Sequence, residues 1–342
     1  MTGIMSQKEI IEALHKADAY DENVKNINLI QTHISYVFLT GIYAYKIKKP
    51  VNFGFLDFST LEKRKFYCEE ELRLNRRLCG DMYVGVLPIT VSGNGEIKIN
   101  GKGKIVEYTL KMKEMPQEKM MATLLMENKI TTRDIDKLAK IVFKFHNSAR
   151  TNAEIKKYGS LKIIKYNWDE NFKQTKEFIG KTITKDDYNF IFQKINNFLQ
   201  KKRGLFENRV KDGKIKECHG DLHLSNIFIT DKIYIFDAIE FNKRFRFSDI
   251  ASDVAFFAMD LDFRGRIDLS DRFVKKYLEL SKDDDLIKVL PFYKCYRAFV
   301  RGKVTSFKLN DSNISEADKM EARKAAKKYF NLSVKYAKQL LT

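Results

Sequence analysis

A nine-residue stretch, Cys218–Asn226 with the sequence CHGDLHLSN, holds four side chains that could do chemistry: His219, Asp221, His223 and Asn226. Two histidines four residues apart would share one face of a helix and could bind zinc. A glycine follows the first histidine, however, and the residues downstream have the composition of a strand. No G-x-S-x-G motif supports a nucleophilic serine either. We therefore expect His219 and His223 to orient this loop. Phosphate transfer remains as the third kind of chemistry that these residues could perform.

The segment after this stretch predicts a β-hairpin. In NIFITDKIYIFDAIEFN, two short apolar runs flank Asp231 and Lys232, which is typical of two strands joined by a tight turn. The ends of a hairpin lie together, so Asn226 and Asp237 should lie side by side. An amide oxygen beside a carboxylate suits Mg²⁺, which also takes substrate phosphates as ligands. With Asp221 five residues before the asparagine, the pattern predicts chemistry on a magnesium nucleotide.

This spacing resembles that of protein kinases, in which an aspartate accepts the substrate proton and an asparagine five residues later binds metal. Here HGD stands in place of H-R-D, and DAI stands in place of D-F-G. The pattern H-G-D-x-H-x-x-N followed by an isolated aspartate resembles the aminoglycoside phosphotransferase and choline kinase branch of the kinase-like fold. The resemblance implies an α+β, two-lobed fold, with Asp221 as catalytic base, Asn226 and Asp237 as Mg²⁺ ligands, and ATP as phosphoryl donor.

Longer segments resemble one bacterial and archaeal family of aminoglycoside phosphotransferase-like proteins. They include THISYVFLTGIYAYKIKK, CHGDLHLSNIF, FDAIEFN and YKCYRAFVRGKV, and the likeness covers about residues 25 to 310. Many relatives in that family carry a second, P-loop ATPase domain. Residues 180–182, GKT, resemble the end of a Walker motif, but Thr175 stands where its first glycine belongs, so we interpret them as a turn.

The same resemblance assigns residues to the nucleotide. Lys46, in YAYK, corresponds to the phosphate-binding lysine, and Glu71 is its expected ion-pair partner. Lys48 and Glu70 are alternatives, because residues 46 and 48 of a strand point the same way. No glycine-rich loop is present, and QTHIS, residues 31–35, stands where a loop over the phosphates is expected. Backbone contacts to adenine are expected from Glu114, Met115 and Pro116.

Further residues are expected around the catalytic loop and the acceptor. Asp249 and Asp253 resemble the acidic residues that brace the catalytic loop in this fold. Arginine binds phosphate and carboxylate groups in bidentate fashion, so a cluster of arginines favours a neutral or anionic small-molecule acceptor over a polycationic aminoglycoside. The candidate acceptor-binding arginines are Arg244, Arg246, Arg297 and Arg301.

The elements that must position these groups fall into two parts. Residues 1–115 predict a nucleotide-binding lobe, with a hairpin over 27–49, one helix over 60–78 and further glycine-broken strands. Residues 116–342 predict a mainly helical lobe with the catalytic loop and the acceptor site. Its helix starts are marked by Thr131, Thr184 and Ser315, the last helix running to about Leu341. One apolar face is predicted for the first of these helices: Ile135, Leu138, Ala139, Val142, Phe145 and His146.

Composition and charge indicate which partners and which cellular compartment to expect. The 342 residues carry 63 basic and 45 acidic side chains, a net charge of +18, spread without a dense block. This favours a solvated surface or anionic ligands, with nucleic acid as an alternative partner. Four dispersed cysteines predict neither a zinc ribbon nor disulfides. No apolar run is long enough for a membrane helix, and Ser6 to Glu9 form a capping box in place of a signal peptide, so we expect a cytoplasmic protein.

A second function class is consistent with the same residues. The missing glycine-rich loop and the basic charge would also fit a nucleotide-binding regulatory module, or a transferase acting on protein or nucleic acid. Neither the acceptor, the choice between ATP and GTP, nor the oligomeric state follows from the sequence.

Overall fold

The computed structural model describes residues 6–312 and 314–340. The chain folds into two compact units. The sheet unit contains the described residues up to Leu124 together with Ser225–Lys243, and the helical unit contains Leu125–Leu224 and the described residues from Arg244 onward. The chain thus crosses into the helical unit after Leu124, returns to the sheet unit at Ser225 and leaves it again after Lys243.

The sheet unit contains a curled antiparallel sheet of six strands. Its strand order is β1-β2-β3-β6-β4-β5, and β8 pairs with β9 as a separate hairpin. The predicted hairpin over 27–49 is confirmed as β2 and β3, with Gly41 at φ +88° in the turn, where only glycine turns freely. The strands of the chain are β1 Asn28–Gln31, β2 Ser35–Leu39, β3 Tyr43–Lys48, β4 Tyr83–Val91, β5 Ile97–Ile99, β6 Lys104–Lys113, β7 Ile215–Glu217, β8 Ile227–Ile229, β9 Ile233–Ile235 and β10 Phe247–Asp249.

The helices have the bounds α1 Gln7–Ala13, α2 Leu61–Cys79, α3 Met121–Met126, α4 Thr132–Ser148, α5 Ala153–Lys156, α6 Leu161–Thr175, α7 Lys185–Lys201, α8 Arg203–Lys211, α9 Lys243–Arg246, α10 Ile250–Phe263, α11 Ile267–Ser281, α12 Asp284–Phe307 and α13 Glu316–Lys338. The first of them opens with the predicted capping box between Ser6 and Glu9.

Helix α2 packs against strands β4 and β6 of the sheet unit. Thr60 caps it by accepting a hydrogen bond from the Lys63 amide at 3.3 Å, which satisfies one of the unpaired amides of the first turn. Its buried face is not purely apolar, because Glu71 and Asn75 lie on it beside Leu74. The helix therefore turns a carboxylate and an amide toward the interior of the sheet unit.

The helical unit is built from long helices around α10 and α12. All residues from Ile250 to Leu261 of α10 are buried, so this helix lies at the centre of the unit. The six residues predicted for the apolar face of α4 are all buried, and its Thr131–Asp134 capping box is present. Helices α7 and α13 begin after Thr184 and Ser315 as predicted, while the predicted end at Leu341 lies outside the described residues.

Two further expectations can be compared with the structure. The four cysteines are buried, and none of them forms a disulfide bond. Among the described residues, no helix combines the length and apolarity needed to cross a membrane.

Candidate functional site

Strand β3 and helix α2 bring Lys46 and Glu71 together inside the sheet unit. The Lys46 ammonium lies 2.8 Å from Glu71 Oε1 and 2.7 Å from Asp237 Oδ1. The Glu71 side chain is completely buried, whereas 41% of the Asp237 side chain is exposed. One lysine thus joins a buried carboxylate to a carboxylate that solvent can reach.

The two alternatives named from the sequence have different positions. Lys48 donates to the other oxygen of Glu71, Oε2, at 2.7 Å, as the two-residue period of a strand allows. Glu70 instead pairs with Arg73 on the exposed side of α2 at 2.7 Å. Glu71 is therefore shared by two lysines, while Glu70 pairs on the outside of the helix.

Opposite charges keep this buried cluster ionised. Burial alone would lower the pKa of Lys46, but the charges of Asp237 and Glu71 outweigh it and raise that pKa well above its usual value. Burial alone would raise the pKa of Glu71, but Lys46 and Lys48 lower it to about 2. The lysine at the centre of the cluster is thus a permanent cation.

The predicted hairpin is confirmed as β8 and β9, with Ile227 opposite Ile235. The Phe236 amide donates to the Asn226 carbonyl at 3.0 Å, so Asn226 and Asp237 flank the open end of the hairpin. An amide and a carboxylate at these two positions are donor types that fit Mg²⁺ together with water or phosphate oxygens.

The backbone at Asp237 is held in an uncommon conformation. Its φ of +63° is left-handed, a region in which aspartate is tolerated better than most residues. The Asp237 amide donates to Tyr83 Oη at 3.3 Å, and the next amide, that of Ala238, donates to Asn75 Oδ1 at 2.9 Å. Helix α2 and strand β4 therefore fix the direction in which this carboxylate points.

In the helical unit, buried side chains hold the backbone around Asp221. The Asp253 carboxylate accepts from the amides of His219 at 2.7 Å and Gly220 at 3.0 Å. Arg297 donates to the Gly220 carbonyl at 2.9 Å, and Gly220 has a φ of +85°, where a side chain would be strained. The loop that carries Asp221 is thus fixed from α10 and α12.

The Asp221 carboxylate itself is partly open. One third of its side chain, 33%, is exposed, and Oδ2 lies 3.3 Å from Nε2 of His223. Burial would raise the pKa of Asp221, but His223 and the Arg301 guanidinium outweigh burial and lower it. Water at the exposed edge weakens this shift, and its direction keeps Asp221 an anion at neutral pH.

Asp253 has a further partner that the sequence reasoning assigned only to the core. His146 Nε2 lies 3.3 Å from Asp253 Oδ2, and its Nδ1 lies 2.8 Å from Tyr277 Oη. Cys218 also offers an atom within 4.8 Å of these groups, yet both Asp253 oxygens already accept amide hydrogens. The arrangement is that of a hydrogen-bonded brace, and the signal for it was a histidine on an otherwise apolar helix face.

Three of the four candidate acceptor-binding arginines are occupied by partners within the helical unit. Arg246 is buried against Glu217, and Arg244 pairs with Glu170 at 2.8 Å. Arg297 is directed at the Gly220 carbonyl and at Ser252 Oγ, 3.1 Å away. The expected four-arginine acceptor surface is therefore not formed, because three of these side chains satisfy buried or half-buried groups of the fold.

Arg301 is placed differently. Its guanidinium lies over the Tyr329 ring at 5.6 Å, and Tyr329, Asp221 and Asp260 raise its pKa against the effect of burial. Its charge in turn helps to lower the pKa of Asp221.

The remaining predicted residues have clear positions. Asp249 caps α10 through the Ala251 amide at 2.9 Å and binds Arg209 at 2.7 Å, so it stabilises the start of the helix that carries Asp253. The Glu114 amide donates to the Ile42 carbonyl at 2.9 Å and the Glu114 carboxylate accepts from the Gly41 amide at 2.7 Å. Pro116 has no amide hydrogen, and the Met115 carbonyl accepts from Gln117 Nε2 at 3.1 Å.

Comparison with known proteins was made by sequence and by structure. No family model matches the chain. It is 32% identical over 279 residues to the uncharacterized protein Rv2004c of Mycobacterium tuberculosis, covering 81% of this chain and 54% of that protein. The chain thus spans about half the length of the curated relatives that it matches.

Solved structures show the fold. Amicoumacin kinase hAmiN, in complex with AMP-PNP, Ca²⁺ and Ami, matches with a TM-score of 0.55 and 14% identity, over 95% of this chain and 93% of that one. A choline/ethanolamine kinase family protein from Mesorhizobium loti matches with a TM-score of 0.50 and 12% identity, over 92% and 93% of the two chains. This chain has the kinase-like fold of the small-molecule phosphotransferases. The predicted fold class, with a sheet-rich first part and a helical second part, is confirmed.

Proposed function

We propose that this protein is an ATP-dependent phosphotransferase that moves the γ-phosphoryl group of a magnesium nucleotide to a hydroxyl group of a small molecule. The observation that carries the proposal is Lys46, a cation with a side chain only 13% exposed, held between the buried Glu71 and the partly exposed Asp237. A fixed cation beside a carboxylate that can take up a metal ion is what phosphoryl transfer requires of a protein.

In this proposal, Lys46 binds the nucleotide phosphates, and Asn226 and Asp237 hold the metal ion. When bound, Mg²⁺ neutralises charge on the phosphates. The donor set, one amide oxygen and one carboxylate, leaves positions for phosphate oxygens. The kinase-like neighbour that was solved with AMP-PNP and Ca²⁺ supports a nucleotide with a divalent cation.

Asp221 acts on the acceptor in this proposal. Its oxygen accepts the hydrogen of the substrate hydroxyl, whose oxygen forms the new bond to the γ-phosphorus as the bond to the β,γ-bridging oxygen breaks, and ADP leaves. Because His223 and Arg301 lower the pKa of Asp221, it is a weak base before reaction. Its main contribution is to orient the hydroxyl, and it takes the proton late, as the new bond forms.

The acceptor is expected to be neutral or anionic, and Arg301 is the residue that would recognise its acidic group. Its positive charge acts on Asp221, so a cationic acceptor would meet another cation beside the catalytic carboxylate. Phosphorylation of kanamycin-like polycations with high efficiency would contradict this part of the proposal.

The first experiment is calorimetric titration of the protein with ATP in the presence and absence of Mg²⁺. We expect saturable binding that tightens with Mg²⁺ and fails in the Lys46→Met variant. Wild-type protein that binds neither ATP nor GTP would overturn the proposal.

A second candidate function is a nucleotide-binding regulatory module. Residues 31–35 form a turn in which Thr32 Oγ1 accepts from the Ser35 amide at 3.0 Å, in place of a glycine-rich loop over the phosphates. Binding of ATP without transfer to any metabolite, together with salt-sensitive binding to RNA or DNA, would favour this function over the enzyme.

A further inference from the structure

A second lysine lies in the same ion-pair network as Lys46. Lys48 donates to Glu71 Oε2 at 2.7 Å and also pairs with Glu240. The network therefore runs through five side chains of alternating charge, all within the sheet unit: Asp237, Lys46, Glu71, Lys48 and Glu240.

The two ends of the network differ in solvent exposure. Asp237 is 41% exposed, whereas the side chains of Lys48 and Glu240 are 2% and 5% exposed. Burying an ion pair costs desolvation free energy, and apolar residues of similar size often stabilise a fold equally well. The Lys48–Glu240 pair is therefore poorly explained by stability alone.

Its position relates it to the nucleotide site. If Lys46 were the only cation beside Glu71, the carboxylate of Glu71 would depend on Lys46 alone for its counter-charge. Glu71 would then compete with a phosphate group for the Lys46 ammonium. Lys48 gives Glu71 a second cation on its other oxygen. Glu71 can then stay ionised and still hold Lys46 in place while Lys46 turns the third hydrogen of its ammonium group to the ligand.

Glu240 completes the arrangement from the segment after Asp237. It pairs with Lys48 at one end of this segment, while the Ala238 amide is held by Asn75 Oδ1 at 2.9 Å at the other. The short chain between Asp237 and Glu240 is thus tied to α2 and β3 at two points. This fixes the candidate metal-binding carboxylate relative to Lys46.

We propose that Lys48 and Glu240 are positioning residues for nucleotide binding, which act through Glu71 and Asp237 without touching the nucleotide. This inference rests on the proposed function of the same site. We expect the buried Lys48–Glu240 ion pair to determine how strongly Lys46 and Asp237 bind a magnesium nucleotide.

The test is the affinity of the full chain for ATP with Mg²⁺. We expect Lys48→Met to raise the Kd about tenfold, the coupling typical of residues within one charge network. Glu240→Gln should raise it by a smaller factor, because Lys48 keeps its contact with Glu71. In the double variant Lys48→Met/Glu240→Gln, the buried carboxylate that loses Lys48 in the single variant is also replaced by a neutral amide, so the Tm should recover in part while the Kd stays raised.

A matched control is available in the same unit. Arg64 and Glu107 form another buried ion pair between α2 and β6, at 2.8 Å, outside the five-residue network. Arg64→Met should lower the Tm as Lys48→Met does but leave the Kd within about twofold of wild type.

The inference is overturned if Lys48→Met binds ATP with Mg²⁺ as wild type does, if Arg64→Met weakens binding equally, or if the double variant regains wild-type affinity. All three outcomes presuppose that wild-type protein binds. Failure of wild type to bind any nucleotide would instead overturn the proposed function, so the two failures are distinguishable.

Discussion

The two units of this protein hold their candidate functional groups in different ways. In the sheet unit, Lys46 is fixed by charges, Glu71 on one side and Asp237 on the other. In the helical unit, Asp221 is fixed through its backbone, because Asp253 and Arg297 hydrogen-bond to the peptide groups before it. The difference follows from what each group would bind. A site for phosphate and metal needs opposite charges that can exchange partners, whereas a group that orients one hydroxyl needs a rigid main chain and a side-chain oxygen that the hydroxyl can reach.

Replacing the oriented carboxylate should have the largest effect. We expect Asp221→Asn to lower kcat by about 10² to 10⁴, the usual contribution of a general base, while the Kd for ATP with Mg²⁺ stays within about twofold, since the binding groups are those of the sheet unit. Steady-state kinetics and calorimetry on the same preparation measure both quantities. A large change in Kd with unchanged kcat would mean that the two sets of residues do not have separate roles.

Replacing the exposed carboxylate of the ion-pair network should change binding. Asp237→Asn removes a metal ligand, and we expect the Kd for ATP with Mg²⁺ to rise about 10- to 100-fold. It also releases Lys46 from one of its two carboxylates, so binding of ATP without metal should hold or tighten. Titrations with and without Mg²⁺ separate these effects. Equal weakening in both conditions would show that Asp237 supports the fold and does not bind the metal.

Replacing Arg297 and replacing Arg301, both on α12, should change different kinetic constants. Arg297→Ala leaves the Gly220 carbonyl without its donor, a loss of about 1–3 kcal/mol, so we expect kcat to fall about tenfold or more with little change in the KM of the acceptor. Arg301→Ala should raise that KM. The reverse assignment, a raised KM for Arg297→Ala alone, would restore the role that the sequence suggested for Arg297.

A smaller effect is expected in the acid stability of the helical unit. Burial would raise the pKa of Asp253, but His146 and other groups outweigh it and lower the pKa to about 2, below the ordinary value of about 3.9. The ionised carboxylate therefore contributes stability above about pH 4, and this contribution is lost as the pH falls toward 2.

The Asp253→Asn variant tests this contribution. The difference in Tm between wild type and the variant should be constant near neutral pH and shrink in acid. A difference that does not change with pH would mean that the charge of Asp253 is not what holds the loop.

Local patterns made part of this structure predictable. The β8–β9 hairpin and the apolar face of α4 follow from side-chain periodicity, and the helix starts at Thr131, Thr184 and Ser315 follow from capping. Prediction of the Lys46–Glu71 contact also required the resemblance to kinase-like proteins, because no local pattern relates a strand residue to a helix residue 25 positions later.

The parts that could not be predicted depend on distant partners. Glu240 is 192 positions from Lys48 in the chain, and Arg297 is 77 from Gly220. In a chain with 63 basic and 45 acidic residues, many pairings have the right charges, and only the fold selects among them. For the same reason, four arginines near the motif suggested one acceptor surface, although three of them are bound within the unit.

The most direct test of the proposed function is transfer of labelled γ-phosphate from ATP, with Mg²⁺ present, to an extract of small metabolites. We predict a labelled product with wild-type protein, no labelled product when Mg²⁺ is removed, and a neutral or anionic acceptor once the product is identified. Wild-type protein that binds ATP with Mg²⁺ but labels no small molecule would contradict the assignment as a small-molecule phosphotransferase.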